Sequence, residues 1–278
     1  MLLPSAPHTV HQLERGDLPG EFRTDFVDED AGHRRRKPVA QLAREHREGR
    51  FRRRVAGTPT DVDPTVGYVG LPDQEEHFAH PAGGDECTSI SVTPDWWRGL
   101  AGESARLRAD ALYIDARLDL AHRRVLAAAQ GRDADYALSE SLLGLLAETV
   151  GQVAAAPTPA SAARRPLKDE RALVTTARQV IADGHPASVA LLPLAELLGV
   201  SPYRLSRAFS RELGVSVTRY RNRVRVGQAL DRLEQGENSL AALAADLGFA
   251  DQAHLSRTVR QLVGHPPTAL RQLLAPGT

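Results

Sequence analysis

Residues 191–199, LLPLAELLG, and residues 240–248, LAALAADLG, share the pattern L-x-x-L-A-x-x-L-G, with Leu191 falling on Leu240. One residue is added near Ala250. From there Leu205, Ser206, Arg207, Gly214, Thr218 and Arg221 fall on Leu255, Ser256, Arg257, Gly264, Thr268 and Arg271. A duplicated unit of about thirty residues requires the same local structure twice, each copy burying its own apolar face. Few folds satisfy that.

Each copy has the grammar of two helices joined by a tight turn. Leu191, Leu194, Ala195 and Leu198 share a helical face, Gly199 supplies a left-handed C-cap, and Ser201 followed by Pro202 is an N-cap with proline at the first helical position. In the second copy Ser239 caps the first helix, Gly248 ends it and Asp251 caps the next. Both copies read as helix-turn-helix units, their second helices spanning 202–213 and 251–263.

The second helices separate packing from recognition. Leu205, Ala208, Phe209 and Leu213 lie on one face, as do Leu255, Val259, Leu262 and Val263, and these faces must point inward. The opposite faces carry Tyr203, Ser206, Arg207 and Ser210, then Ala253, Ser256, Arg257 and Arg260, at helical spacing. The repeated Leu-Ser-Arg thus couples a buried anchor to two outward residues. An arginine can donate two hydrogen bonds to the O6 and N7 of guanine in a major groove, and a serine can serve either kind of base pair.

Residues 217–235, between the copies, are strongly helical and at 1.5 Å per residue would extend about 28 Å. Successive major grooves on one side of B-DNA lie about 34 Å apart, so such a connector could present both second helices to one duplex. Amphipathic helices with outward serine and arginine are common, and repeated helical pairs also build solenoids. Solenoids, however, need about three units or more, and this chain has two copies. A helical protein-interaction module with no DNA role is the remaining competitor for this region.

Charge supports the DNA reading. The chain of 278 residues has 35 Lys plus Arg and 35 Asp plus Glu. From Lys168 onward there are 14 basic and 10 acidic residues, a net of +4, which leaves −4 for the remainder. One cysteine, Cys87, excludes an intramolecular disulfide and four-cysteine zinc patterns, and fits a reducing cytosol. No stretch approaches about 18 consecutive apolar residues, so no membrane partner and a cytoplasmic location are expected.

The N-terminal half has a different texture. Up to about residue 92, short runs such as FRRRV, VGYVG and CTSISV are broken by Gly, Pro and Asp, the rhythm of a small antiparallel sheet or barrel. Helical patterning follows over 118–130 and 133–153, the latter with Asp133 as N-cap and a stripe of Leu138, Leu142, Leu145, Leu146 and Val150. Residues 153–166, rich in Ala, Pro and Ser, read as a linker. The expected chain is α+β with two domains: 1–152 (sheet about 1–92, helices about 118–153), linker 153–166, and an all-α domain over 167–278.

The stretch ADLGFADQAHLSRTVRQLVGHPPTALR, residues 245–271, resembles the signature of the AraC/XylS family of bacterial transcription regulators, and the likeness covers about 171–274. It implies two helix-turn-helix units joined by a long helix, with base contacts from Tyr203, Ser206, Arg207, Gln252, Ala253, Ser256 and Arg257. Ala253 departs from the larger polar residue often found there, which leaves an apolar contact such as a thymine methyl. Arg204, Arg211, His254 and Arg260 are expected on phosphates. Residues 67–92 resemble the family's cupin-like regulatory domain, which implies a β-barrel that senses a ligand or holds a dimer, with the helices of 118–153 as a pairing surface. Double-stranded DNA is the expected partner. RNA polymerase, a small-molecule effector of unknown site and a second copy of the chain are further candidates.

Other constellations point to little chemistry. Glu76, His77, His80 and Cys87 suggest a metal, but in a strand His77 and His80 project from opposite faces, and the cupin His-x-His pattern is missing. No metal, cofactor or enzymatic activity is expected, the alternative being a metal-binding or enzymatic N-terminal barrel. Cys87 reads as a small buried apolar residue. The basic runs at 33–37 and 50–55 read as solvated faces, the second alternating as a half-solvated strand does. In a helix Arg219, Arg221, Arg223 and Arg225 spread around the cylinder, some toward phosphate and others toward solvent or acids.

Overall fold

A computed structural model describes residues 20–27, 39–43, 50–70, 74–79, 85–102, 106–107, 111–130, 134–155 and 168–274. Two units emerge: Met1–Ile114 with Leu146–Pro159, and Asp115–Leu145 with Ala160–Thr278. The sequence places the helices of 118–153 wholly with the sheet. Instead, the segment from Asp115 to Leu145 groups with the C-terminal helices.

The first unit contains strands β1 (Gly20–Val27), β2 (Val39–Ala43), β3 (Phe51–Val55), β4 (Thr58–Val62), β5 (Val66–Gly70), β6 (Glu76–Ala79) and β7 (Asp85–Val92). Helix α1 (Pro94–Ala101), β8 (Arg106–Leu107), β9 (Ala111–Tyr113) and β10 (Ala154–Ala155) complete its named elements apart from the end of a helix described below. One sheet has the order β1-β7-β2-β5-β9 and a second β4-β3-β6, with every pairing antiparallel. The small antiparallel sheet expected before residue 92 is therefore present, and β9 extends it. Val153 ends a helix and Ala154–Ala155 pair with β8, so the first residues of the expected linker belong to regular structure. The rest of it, 156–166, lies outside the described residues, as do Asp133 and the basic run at 33–37.

Strand β3 alternates as expected, with Phe51, Arg53 and Val55 inward and Arg52 and Arg54 exposed. Phe51 packs with Val62 and Tyr68 in the core. Arg53 corrects the reading of this run as a solvated face, being only 1% exposed. Its Nε and Nη2 donate to Glu76 Oε1 at 2.9 and 2.5 Å, and its guanidinium lies 4.3 Å from the centre of the Tyr68 ring. An inward arginine in a sheet is tolerable only with such partners, since an unpaired buried charge is costly.

The second unit is helical: α2 (Ala116–Gln130), α3 (Ala134–Val153, passing the unit boundary at Leu145), α4 (Lys168–Ala182), α5 (Leu191–Leu197), α6 (Pro202–Leu213), α7 (Val217–Glu234), α8 (Leu240–Asp246), α9 (Gln252–Val263) and α10 (Pro267–Leu274). The capping residues expected from sequence do their work. Ser201 Oγ accepts from Arg204 N, Ser239 Oγ from Ala242 N and Asp251 Oδ1 from His254 N. Ser201→Ala should cost about 1 kcal/mol in chemical denaturation, with the loss seated at the start of α6.

The apolar faces close as the periodicity demands. Leu205, Ala208 and Phe209 of α6 are fully buried, and the Phe209 ring meets Tyr220 of α7 edge-on at 5.5 Å. In the second copy Leu255, Val259 and Val263 join Leu243, Ala244 and Phe249, with Val226, Ala229, Leu230 and Leu233 of α7 and Leu270 and Leu274 of α10. Ala116 and Leu120 of α2 complete that cluster.

Candidate nucleic-acid interface

The site consists of the outward faces of α6 and α9. Beneath α6, Leu205 is 0% exposed, and beneath α9 so is Leu255. One residue further along, Ser206 and Ser256 are half-buried, and Arg207 and Arg257 are exposed. Each Leu-Ser-Arg therefore places its arginine outside the domain, over a locked leucine. Tyr203, Ser210, Gln252, Ala253 and Arg260 are exposed as well. The structure brings Tyr203, Ser206 and Arg207 onto one face of α6, and Gln252, Ala253, Ser256 and Arg257 onto the matching face of α9.

The α6 face has an internal organisation that the spacing alone does not reveal. Arg207 Nη1 donates to Tyr203 Oη at 3.4 Å, and its guanidinium sits 5.9 Å from the centre of that ring. Tyrosine and arginine one turn apart favour this stacking, so Tyr203 holds Arg207 in a narrower set of rotamers than free solvent would. On α9 the equivalent of Tyr203 is Ala253, which cannot do so.

The four residues expected at phosphates are not alike. Arg204 and Arg260 are exposed. Arg211 Nη1 donates to Glu170 Oε1 of α4 at 2.8 Å, and Arg171 lies 3.6 Å from Glu212. These contacts turn Arg211 toward α4 and tie α6 to it. Burial pushes the Glu212 carboxyl above its ordinary range, against the pull of Arg171 and Arg178. His254 accepts from Ala250 N through Nδ1 at 3.3 Å and stacks edge-on against Phe249 at 5.3 Å, which directs part of its bonding back to the preceding turn.

Helix α7 carries its arginines as a helix must, around its circumference. Arg219 is exposed, Arg221 half-buried and Arg223 3% exposed. Arg225 lies 5.3 Å from the Phe249 ring. A Cβ at Gly248 would stand 2.6 Å from Arg225 Nη2, and Gly248 has φ +68°, so this turn is shaped for a bare backbone under the guanidinium. Burial, and next the charge of Arg221, push Arg225 down to about 10, which still leaves it cationic at neutral pH.

Glu76 is engaged by Arg53, while His80 and the Cys87 side chain lie outside the described residues. Among the described residues no group of three or more His, Cys, Asp or Glu is placed to hold an ion, and no helix is long and apolar enough to cross a membrane.

The paired helices and their exposed arginines define a class, the helix-turn-helix domain, and the model of that domain family matches residues 194–273. This part of the chain is similar to helix-turn-helix domains. It is similar to the uncharacterised HTH-type transcriptional regulator YbfI of Bacillus subtilis, 35% identical over 77 residues, which is 28% of each chain. The arabinose operon regulatory protein of Escherichia coli is 33% identical over 78 residues, 28% of this chain and 27% of that one. The chain thus matches less than a third of the length of these relatives. Among solved structures, the C-terminal domain of AraT, a response regulator from Geobacillus stearothermophilus, aligns at 30% identity with a TM-score of 0.34, over 39% of this chain and 87% of that domain.

Proposed function

We propose that the chain is a sequence-specific DNA-binding transcription regulator in which α5–α6 and α8–α9 are two helix-turn-helix units reading successive major grooves. One observation carries this reading. Two copies of the same helix pair expose an arginine at the same place over a fully buried leucine. Helix α7 has 18 residues and spans about 27 Å, close to the rise of one duplex turn. Arg207 and Arg257 are assigned to guanine edges, Ser206, Ser256 and Gln252 to neighbouring bases, Tyr203 and Ala253 to base contacts of more apolar character, and Arg204 and Arg260 to phosphates. Arg211 and His254 keep a phosphate role only if a duplex draws them from the contacts described above.

The sheet unit is the proposed regulatory part, a cupin-like barrel. A ligand there can act only by favouring one state of the chain over another. A small-molecule effector, RNA polymerase and a second copy of the chain are the further partners such a regulator would engage. No observation favours the rival in which this unit is a metal-binding enzyme.

The test is selection of duplexes by the full chain from a randomised pool, followed by titration of the selected sequence. Arg207→Ala and Arg257→Ala should each weaken binding by about 1–3 kcal/mol and relax preference at one base pair. Affinity should also fall steeply with salt, as phosphate contacts release counterions. Equal weakening on every sequence would move these arginines from base reading to backbone contact. Selection of no sequence at all would sink the reading.

A further inference from the structure

Arg123, on α2, sits at the centre of a charge cluster built with α7. Its Nε donates to Asp119 Oδ1 at 2.9 Å, its Nη2 to Asp231 Oδ1 at 2.7 Å and its Nη1 to Glu234 Oε2 at 2.7 Å. Asp119 Oδ2 lies 3.2 Å from Arg223 Nη2, so one carboxylate bridges two arginines from different helices. Arg123, Asp119 and Arg223 are 4, 6 and 3% exposed. Gly227 leaves room for the Arg223 guanidinium one turn earlier on α7, since a Cβ would stand 2.7 Å from Arg223 Nη1. A larger side chain there would displace the Arg223 guanidinium from its place beside Asp119.

The same helix contributes apolar surface. Ala116 and Leu120 lie in one buried cluster with Leu255, Val259 and Val263 of α9 and with Leu270 and Leu274 of α10. Helix α6 has a comparable support, α4, tied to it by Glu170 with Arg211 and by Arg171 with Glu212. The difference is in the chain. Helix α4 directly precedes the first copy, whereas Arg123 is 108 and 111 residues from its α7 partners and lies before the segment 156–167. Two arginines meeting three acids, with both arginines and Asp119 buried, give a geometry that tolerates little slack, because charge-assisted hydrogen bonds depend on direction.

We propose that α2 is a docked third component of the second reading unit, and that Arg123 is a positioning residue which fixes α9 through α7 and leaves α6 untouched. The proposal rests on the reading of α6 and α9 as DNA readers. It gives the chain a means to control one half of its DNA contact separately: displacement of α2 loosens the second reader alone. Helix α2 leaves β9 after only Ile114 and Asp115, so the device is covalently continuous with the sheet unit.

The experiment is amide hydrogen exchange on the full chain, wild type against Asp231→Asn with Glu234→Gln, without DNA. Weakening the clamp should raise exchange in α2 and α9 by about tenfold while α6 stays unchanged. Arg123→Lys, which keeps the cation but loses the fork, should give a smaller rise confined to the same helices. Equal opening of α6 and α9, or no opening, overturns the proposal. A second arm uses hydroxyl-radical footprinting on a duplex selected by the wild type. Protection should fade over one half-site in the double variant and persist over the other, and uniform fading counts against the proposal. If the wild type selects no duplex, the function reading fails, and the exchange arm still decides this one.

Discussion

Arg123→Ala should lower the stability of α2 and the second copy by about 3–5 kcal/mol, because it removes one of the two arginines on Asp119 and the shared partner of Asp231 and Glu234. Desolvation alone would pull a buried guanidinium's pKa down, yet the charges of Asp119, Asp231 and Glu234 together hold Arg123 well above its ordinary range. The attraction therefore outweighs the burial cost. Asp231 is 38% exposed at its side chain and can recover water, which places the expected loss toward the lower end. Arg223 partly compensates Asp119 at 3.2 Å. Guanidinium denaturation followed by far-ultraviolet circular dichroism, whose signal comes mostly from these helices, is the measurement. A loss under about 1 kcal/mol would place the cluster with ordinary surface ion pairs.

Leu255→Ala and Leu205→Ala should each cost about 2–5 kcal/mol, since both side chains are 0% exposed and their truncation leaves a cavity. Leu192→Ala is the control. That side chain is 68% exposed, and its removal should change stability by less than about 0.5 kcal/mol. The comparison tests whether the leucine of each Leu-Ser-Arg holds its helix down. Thermal unfolding of the three variants checks it, and a loss in Leu192→Ala equal to the others would mean that the outward face of α5 is covered in the native protein.

The helical half was legible in the chain because its determinants are local and stated twice. Ser201 with Pro202, Ser239, and Asp251 each mark a helix start that the structure contains, and of the leucines at helical spacing Leu194, Leu205 and Leu255 are buried while Leu191, Leu198, Leu213 and Leu262 are half-buried. The exposure of Arg207 and Arg257 follows from the same periodicity. What escaped was what depends on distance along the chain. Nothing about Arg123 distinguishes it from its neighbour Arg124, yet the first is buried and the second exposed, because only the first faces acids more than a hundred residues away. Arg53 escaped for the same reason, its partners Glu76 and Tyr68 lying on other strands. Helix α1 is a different case: Thr93 Oγ1 accepts from Trp96 N and Pro94 opens the helix, a cap signature that was there to be read.

The two copies are alike inside and share a serine and an arginine outside, but their other outward residues differ. One presents Tyr203, Ser206 and Arg207, the other Gln252, Ala253, Ser256 and Arg257, and a single chain carries both in a set order. Symmetric dimers of identical readers meet palindromes, on which neither direction is distinguished. On the proposed reading, a tandem of readers that are not identical meets a target with a head and a tail. Inverting that target end for end would exchange the grooves that the two copies meet.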